Sequence, residues 1–410
     1  MKRIFIFPFF IAVFLLTGCW DSLEINDAAI ITGIAIEKGE NALYKMTVST
    51  VNATELSKSS ATGNTPSTTF SLEGDSISEL SNKMNIGLTR KNIYSHTRIL
   101  VISEKIAKEG MLEFLDFLER SGEFRNDFNI MVSKGVKASD ILKVAYPLQK
   151  DPSLKLHKQA QSFLDYWGGD PKVRLTDFIT ALVVEGRHPV AAVVTIKGDA
   201  KKGQSVENNK MLDLDAMVIM DGMAVFNNDK LVGMMSVEDV RSYLWTEDLK
   251  STSLSVPCGK LDDKTLYNDI RIISTSTKKV TKYKSGRAEL IIKVTGEADL
   301  VGTHCKEALD KPETFDKYEK QTNRFIESEI EGTIRKVQEE YNVDIFGFGE
   351  SLNRSNHKVF QKIKSDWDQY FSNADVKVES TIYIRRSGIR GNSFIRDLDK
   401  LKESQNDTEE

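Results

Sequence analysis

Cysteine is scarce in this chain of 410 residues, and its three cysteines form no metal-binding pattern. They stand at Cys19, Cys258 and Cys305, and no CxxC pair occurs. His304 lies beside Cys305 but has no further ligands at the spacing that a zinc site needs. We therefore expect no bound metal. The sequence leaves open whether Cys258 and Cys305 pair in an oxidising compartment or remain two buried thiols.

Catalytic and phosphate-binding motifs are missing as well. The sequence contains neither GxSxG nor GxxxxGK[ST]. The run Gly74-Asp75-Ser76-Ile77 resembles the nucleophile block of GDSL-type esterases, but no histidine follows an aspartate by three residues, as those enzymes require. Ser76 fits a helix N-cap, with Glu79 completing a capping box. Glu185 and His188 could form a catalytic pair, but a polar loop before Pro189 explains them equally well. We predict a protein that is not an enzyme and has no cofactor.

Long apolar runs are absent beyond the N-terminus, where residues 4–16 form one that is interrupted only by Pro8. This run follows two basic residues and ends in Leu-Thr-Gly-Cys. The pattern predicts a signal peptide over residues 1–18, and its end resembles the bacterial lipobox, in which the cysteine is diacylglycerated and the chain is cut before it. We expect cleavage between Gly18 and Cys19 and lipidation of Cys19; an uncleaved anchor helix and an ordinary secretory signal are the alternatives.

The charge balance is mildly acidic. Lys and Arg number 56 against 60 Asp and Glu, a formal net charge of −4. Loss of Lys2 and Arg3 with the signal peptide leaves 54 against 60, or −6. Such a chain has no electrostatic reason to bind nucleic acid or an anionic lipid surface. We therefore expect no nucleic-acid partner, and contact with a membrane through the diacylglyceryl anchor alone.

Strand and helix patterns alternate in the first half of the chain. Residues 98–103 predict a strand, residues 105–120 a helix and residues 126–133 a second strand. This order favours neighbouring parallel strands joined by crossover helices. We expect a mixed α/β (α+β) fold of several domains, three in all, with mixed β-sheets packed against helices.

Further patterns divide the chain. The polar, glycine-bearing segment around residues 201–210 predicts a linker. It separates an N-terminal α/β region, residues 19–200 with two subdomains, from a C-terminal α/β domain, residues 211–390, and a polar tail, residues 391–410. The other predicted features are hairpins at 27–51 and 216–235, a polar connection at 54–69, long strands at 269–283 and 288–302, and helices at 314–341 and 356–371.

Three stretches carry a resemblance to a known family. The first is Gly18-Cys19-Trp20-Asp21 with the strand that follows, the second is the hairpin around residues 226–232, and the third and most specific is residues 344–350, DIFGFGE, with the segment up to Phe371. On these stretches the chain resembles the C subunits of the nutrient germinant receptors of bacterial endospores, the Ger(x)C lipoproteins. Glu37-Lys38 departs from the pattern, but only in a turn.

The resemblance implies a role and a location. It implies a non-enzymatic, three-domain, mixed α/β subunit that is lipid-anchored at the outer face of the inner spore membrane and needed for germination. Its implied partners are a permease-like subunit and a second polytopic subunit. The alternatives are an exported solute-binding lipoprotein and a lipid-tethered hydrolase.

Residues 344–350 are the candidate docking loop for a partner. They join two predicted helices, and two glycines give the backbone freedom to turn. Either their aromatic side chains fill the core between the helices, or one of them remains exposed and docks a partner. The residues named for this loop are Asp344, Phe346, Gly347, Phe348, Gly349 and Glu350.

Overall fold

The structure is a computed structural model that describes residues 27–52, 55, 64–247 and 249–386. The predicted signal peptide, its cleavage site, Cys19 and the polar tail lie outside the described residues. Among the residues that are described, no helix has both the length and the hydrophobicity to span a bilayer.

A large mixed sheet is built from strands of the first part of the chain. Its order is β3-β2-β1-β5-β6-β7-β8-β9, with β4 beside β1. The strands β1, β5, β6 and β7 are parallel neighbours, as the alternation of strands and helices predicts. The bounds are β1 Ala28–Lys38, β2 Tyr44–Val51, β3 Ser67–Gly74, β4 Lys91–Ile93, β5 Ile99–Ser103, β6 Asn129–Ser133, β7 Val190–Gly198, β8 Ala216–Asn227 and β9 Lys230–Met235.

Helices cover both faces of this sheet. Alternate residues of β5 enter different cores, with Leu100 and Ile102 in one cluster and Ile99 and Val101 in the other, which is why these four successive residues are all apolar. The helices are α1 Ile77–Lys83, α2 Glu104–Glu109, α3 Leu112–Arg120, α4 Ala138–Ile141, α5 Pro152–Trp167, α6 Leu175–Val183, α7 Ala200–Gly203 and α8 Val237–Trp245. The single helix predicted over 105–120 is two helices, because Gly110 between them has a φ of +127°.

A second sheet has the order β10-β11-β12-β13. Its long hairpin confirms the two long strands expected from the sequence, and the amphipathic α9 packs its buried stripe, including Ile326, Ile330 and Ile334, against the sheet. The predicted helix 356–371 is broken into shorter pieces. The bounds are β10 Thr252–Leu261, β11 Lys264–Lys284, β12 Arg287–Thr303, α9 Pro312–Glu340, α10 Phe348–Ser355, α11 His357–Ile363, α12 Trp367–Ser372 and β13 Asp375–Arg386.

A disulfide closes one end of the second sheet. Cys258 on β10 is bonded to Cys305 beyond the end of β12, with their Cα atoms 6.4 Å apart. This separation lies within the usual range for a cystine. Of the two possibilities that the sequence leaves open, the structure has the paired form.

The large sheet continues across the predicted linker. The strand before residues 201–210 and the strand after them pair antiparallel, from Val190 opposite Val225 to Gly198 opposite Ala216. The segment itself holds the end of α7 and a 3₁₀ turn. One sheet therefore includes strands from both sides of the predicted boundary, and the larger apolar cluster extends into the second sheet. The mixed α/β fold class is confirmed, whereas the division into domains remains a prediction.

Candidate functional site

A buried aspartate organises the turn between α9 and α10. Asp344 Oδ1 accepts hydrogen bonds from the backbone N–H groups of Phe346 at 3.0 Å and Gly347 at 2.9 Å. Its Oδ2 accepts from the N–H of Gly349 at 2.8 Å and from Trp367 Nε1 at 2.9 Å. Four donors thus converge on one carboxylate, and Gly347 turns the chain with a φ of +73°. We call residues 344–350 the Asp344 corner.

The carboxylate of Asp344 is fully buried. Burial raises its pKa above the ordinary aspartate value, while the hydrogen bonds from Gly349 and Trp367 act in the opposite direction. All four neighbours donate N–H groups, so both oxygens have to accept. The corner therefore requires a side chain with two acceptors.

The aromatic side chains of the corner lie in the core. Phe346 and Phe348 have no solvent exposure, and each ring centroid is within 6.4 Å of that of Phe371. Ile345 is equally buried. The core-filling interpretation is thus correct for these rings, and the alternative with an exposed aromatic knob is wrong for both of them. A docking role for the remainder of the segment stays a prediction.

The Asp344 corner binds to the loop before β7. His188 N–H donates to the Asp344 carbonyl at 2.8 Å, and Glu350 N–H donates to the Gly186 carbonyl at 3.2 Å. The two backbones approach so closely that a Cβ on Gly349 would lie 2.7 Å from the Gly186 Cα and 2.5 Å from Trp367 Nε1. Parts of the chain about 160 residues apart therefore meet here without room for side chains.

The corner is also attached to the second sheet. Lys279 Nζ on β11 donates to the Phe346 carbonyl at 2.7 Å, and Thr281 Oγ1 donates to the Phe348 carbonyl at 2.7 Å. The Asp344 corner thus connects the loop at the start of β7 with β11. A displacement of the corner would therefore disturb contacts with both sheets.

The loop before β7 does not form a catalytic pair. Glu185 binds Lys364 at 2.6 Å and not His188. His188 Nδ1 accepts from Asn228 N–H at 3.1 Å, so its Nε2 carries the proton and donates to Asp368 at 3.1 Å. The hydrogen bond to Lys364 lowers the pKa of Glu185. These polar groups hold the loop against neighbouring elements.

A charged cluster lies beside the corner. Arg187 donates to the Tyr243 hydroxyl at 3.1 Å and is 3.3 Å from a Glu247 carboxylate oxygen. Lys279 binds the other oxygen of Glu247 at 2.6 Å, whereas Glu350 is 3.9 Å from Arg187. Burial raises the pKa of the Tyr243 hydroxyl. Local sequence patterns do not indicate this cluster, because its members come from the loop before β7, α8 and the turn after it, β11 and α10.

The cluster lines one side of an open cavity of about 380 Å³. Residues of the 171–184 segment, α8 and the corner form its walls. The cavity is therefore part of the junction between the two halves of the chain. Its lining includes Lys172, Val173, Ala181, Arg187, Leu244 and Glu350.

Ser76 acts as a helix cap. Its Oγ accepts the N–H of Glu79 at 3.4 Å, at the start of α1. The predicted helix cap is confirmed, but the predicted capping box is wrong, because the Glu79 carboxylate pairs with Lys83 instead of reaching back to the Ser76 N–H. Among the described residues no group of three or more His, Cys, Asp and Glu side chains is placed to hold a metal ion.

Comparison with protein families identifies both halves of the chain. Residues 21–196 match the spore germination protein N-terminal domain, and residues 221–388 match the model described as spore germination B3/GerAC like, C-terminal. The first match ends before the segment that contains α7, and the second begins after it.

Individual relatives align along almost the entire chain. Spore germination protein KC of Bacillus subtilis (strain 168) is 30% identical over 390 residues, 93% of this chain and 95% of the relative. Spore germination protein YndF of the same organism is 23% identical, over 91% and 93% of the two chains. The crystal structure of the GerBC protein shares the fold, with a TM-score of 0.51 and 17% identity over 86% of this chain and 96% of that one.

Proposed function

This chain belongs to the GerAC-like family of spore germination proteins, and we propose that it is a non-enzymatic, lipid-anchored subunit of a nutrient germinant receptor complex. The observation that carries the proposal is the match of both family models, one on each half of the chain. The alignment with spore germination protein KC over 93% of the chain supports the same role. Germination is thus the process in which this subunit acts.

The proposed partners are integral membrane proteins. They are a permease-like subunit and a second polytopic subunit, as the resemblance to the Ger(x)C lipoproteins implies. The chain meets them at the outer face of the inner spore membrane. The net charge of −6 after signal removal gives no general attraction to anionic lipid, so diacylglycerol on Cys19 supplies the attachment. Two acyl chains form a stable anchor, whereas one is marginal.

The polar residues that could suggest catalysis have structural partners. Ser76 caps α1, Glu185 binds Lys364, and His188 lies between Asn228 and Asp368. Among Ser76, Glu185 and His188, no nucleophile is hydrogen-bonded to a base. These contacts support a binding and scaffolding role over the hydrolase alternative based on Ser76.

The germination role is tested with spores that lack this chain. We expect such spores to lose or slow their response to at least one nutrient, measured as the fall in optical density after nutrient addition. Reintroduction of the wild-type chain should restore the response. Unchanged responses to every nutrient that wild-type spores recognise would refute the proposed function.

The lipid anchor is tested separately with Cys19→Ala, with Ser22→Ala as the matched control. We expect Cys19→Ala to retain its signal peptide, to incorporate no labelled palmitate and to weaken nutrient germination, because the subunit is no longer concentrated at the membrane. Ser22→Ala should behave as wild type. Palmitate labelling that persists in Cys19→Ala would rule out the lipidation site.

A further inference from the structure

The chain enters the large sheet beside the turn formed by residues 84–91. Strand β4 pairs parallel with the start of β1, with Lys91 opposite Ala28. The turn precedes β4 and therefore lies at the edge of the sheet where β1 begins. Cys19, the proposed lipidation site, precedes Asp27 by eight residues, which span at most about 29 Å when fully extended. The turn therefore lies close to the bilayer that holds the anchor.

The turn has a fixed conformation that exposes Ile86. Met84 is fully buried and Leu88 packs against the core, whereas Ile86 between them is 80% exposed. Asn85 Nδ2 closes the turn by donating to the Arg90 carbonyl at 2.8 Å. Because the residues on both sides of Ile86 are held in this way, its side chain points out from the edge of the sheet.

The same stretch is basic. No aspartate or glutamate occurs from residue 80 to residue 103, but four basic residues do: Lys83, Arg90, Lys91 and Arg98. Arg90 and Lys91 are exposed and form no ion pair with any residue that the structure describes, whereas Lys83 pairs with Glu79. Together with Glu79 and Asp27, which adjoin them, the four basic residues leave a charge of +2. The net charge of −6 for the processed chain does not describe this edge.

An exposed apolar side chain next to basic residues is typical of a loop in the interface of a bilayer. The apolar group enters the boundary between headgroups and acyl chains, and the basic groups bind acidic headgroups. One exposed isoleucine alone would need no explanation, because single apolar residues are common on protein surfaces. Leu212, for example, is fully exposed before β8 at the opposite edge of the sheet, but Asp213 and Asp215 follow it. Ile86 differs in its basic neighbours and in its position beside the anchored end of the chain.

We propose that residues 84–91 form a second membrane contact, in which Ile86 enters the interface of a bilayer with acidic phospholipid, and Arg90 and Lys91 bind its headgroups. This contact rests on the proposed anchor at Cys19 and adds to it, whereas the net charge led us to expect the anchor alone. It also orients the subunit. The edge at which β1 begins faces the bilayer, and the carboxyl ends of β1, β5 and β6 face away from it.

The contact is tested with the lipidated chain in vesicles of phosphatidylcholine, with and without about 30% phosphatidylglycerol. Ile86→Cys carries an NBD fluorophore, and Leu212→Cys, labelled in the same way, is the matched control at the opposite edge. The label reaches the new thiol alone, because Cys19 is acylated and Cys258 is bonded to Cys305. On acidic vesicles we expect the emission at position 86 to shift to the blue and to be quenched by spin-labelled lipid, while position 212 stays in water.

Flotation of the same vesicles separates this contact from the anchor. A chain without its anchor does not float with the vesicles, which would refute the lipid anchor of the proposed function. A chain that floats but is quenched no more at position 86 than at position 212 would overturn the second contact and leave the anchor intact. Equal quenching at position 86 on neutral and acidic vesicles would overturn the assignment of acidic headgroups.

Charge variants connect the contact to its basic residues. In the labelled chain, Arg90→Gln with Lys91→Gln should lower the ratio of bound to free turn about tenfold or more, since each basic group near an acidic surface contributes about fivefold. Lys105→Gln with Lys137→Gln is the matched control, because these exposed lysines follow β5 and β6 at the opposite edge. Circular dichroism checks that both chains are folded. Wild-type quenching in folded Arg90→Gln with Lys91→Gln would overturn the proposal.

Discussion

Replacement of Asp344 by asparagine tests whether a carboxylate holds the corner together. The side chain accepts four N–H groups, two on each oxygen. Asparagine has one oxygen and one NH₂ group. Whichever way the amide is turned, two backbone or indole donors then face an NH₂ group and lose their acceptor.

The expected loss of stability follows from the two hydrogen bonds that Asp344→Asn removes. Hydrogen bonds to a charged group contribute about 1.5–3 kcal/mol each, so two of them amount to roughly 3–6 kcal/mol. Burial raises the pKa of Asp344, so removal of the charge recovers part of this cost, and we expect a net loss near the low end of this range, about 3 kcal/mol. For domains of 150–250 residues, 1 kcal/mol lowers Tm by about 2–4 °C, so the expected fall is about 6–12 °C.

The assay is thermal unfolding of the purified chain at neutral pH, followed by circular dichroism. The matched control is Asp368→Asn, since Asp368 is 40% exposed and contacts only the edge of this site through His188. It should change the stability by no more than about 1 kcal/mol. Trp367→Phe removes one of the four donors and should fall between the two. If Asp344→Asn and Asp368→Asn have the same Tm, the Asp344 carboxylate does not hold the corner together.

Two further predictions concern close packing and a buried cation. Gly349→Ala should lower the Tm by several degrees, because the new Cβ would lie 2.5–2.7 Å from atoms of Trp367 and Gly186. Gly332→Ala is the contrasting variant: a Cβ at this position, in the middle of α9, has no other atom within 4 Å. It should raise the free energy of unfolding by about 0.5–1 kcal/mol. Burial lowers the pKa of Lys155 from 10.5 to about 8. Between pH 8 and pH 10.5 the Lys155 side chain therefore binds a proton in the unfolded chain but not in the folded one. The free energy of unfolding of the wild type thus rises with pH over this range, by at most about 3 kcal/mol. In Lys155→Met this contribution should vanish, as urea unfolding at pH 7.5 and pH 10 will show; the same rise in both chains would contradict it.

Much of the fold could be predicted where one physical signal dominates. The strand β5 is apolar on both faces because it is covered on both, and such strands alternating with helices favour a parallel arrangement. The inner stripe of α9 repeats at the helical period over 29 residues, so its helix was plain from the sequence. Ser76 could be identified as a cap because the capping signal is local.

Other elements have sequences that mislead. The strand β3, STTFSLEG, is rich in serine and threonine and lies partly inside the predicted polar connection 54–69. The strand β10 buries every second residue from Thr252 to Cys258, but Pro257 and Gly259 hide this alternation. Proline is tolerated there because β10 is an edge strand. In both cases the neighbouring strand, and not local propensity, determines the structure.

The position of the candidate site could be predicted from the sequence, whereas its hydrogen bonds and ion pairs could not. The segment 344–350 stood out by its composition, yet the four donors that converge on Asp344 include Trp367, which lies 23 residues away. The cluster of Arg187, Tyr243 and Glu247 depends on the packing of α8 against the loop before β7. Such contacts are set by tertiary packing, which no local pattern encodes.

Affinity purification of the tagged chain from solubilised spore membranes tests the central claim most directly. The proteins recovered with it would be identified and quantified by mass spectrometry, with an untagged strain as the control. We predict two multi-pass membrane proteins, one of them permease-like, in amounts comparable to the chain itself. Recovery of neither, under conditions that keep other membrane complexes intact, would contradict the assignment of this protein as a receptor subunit.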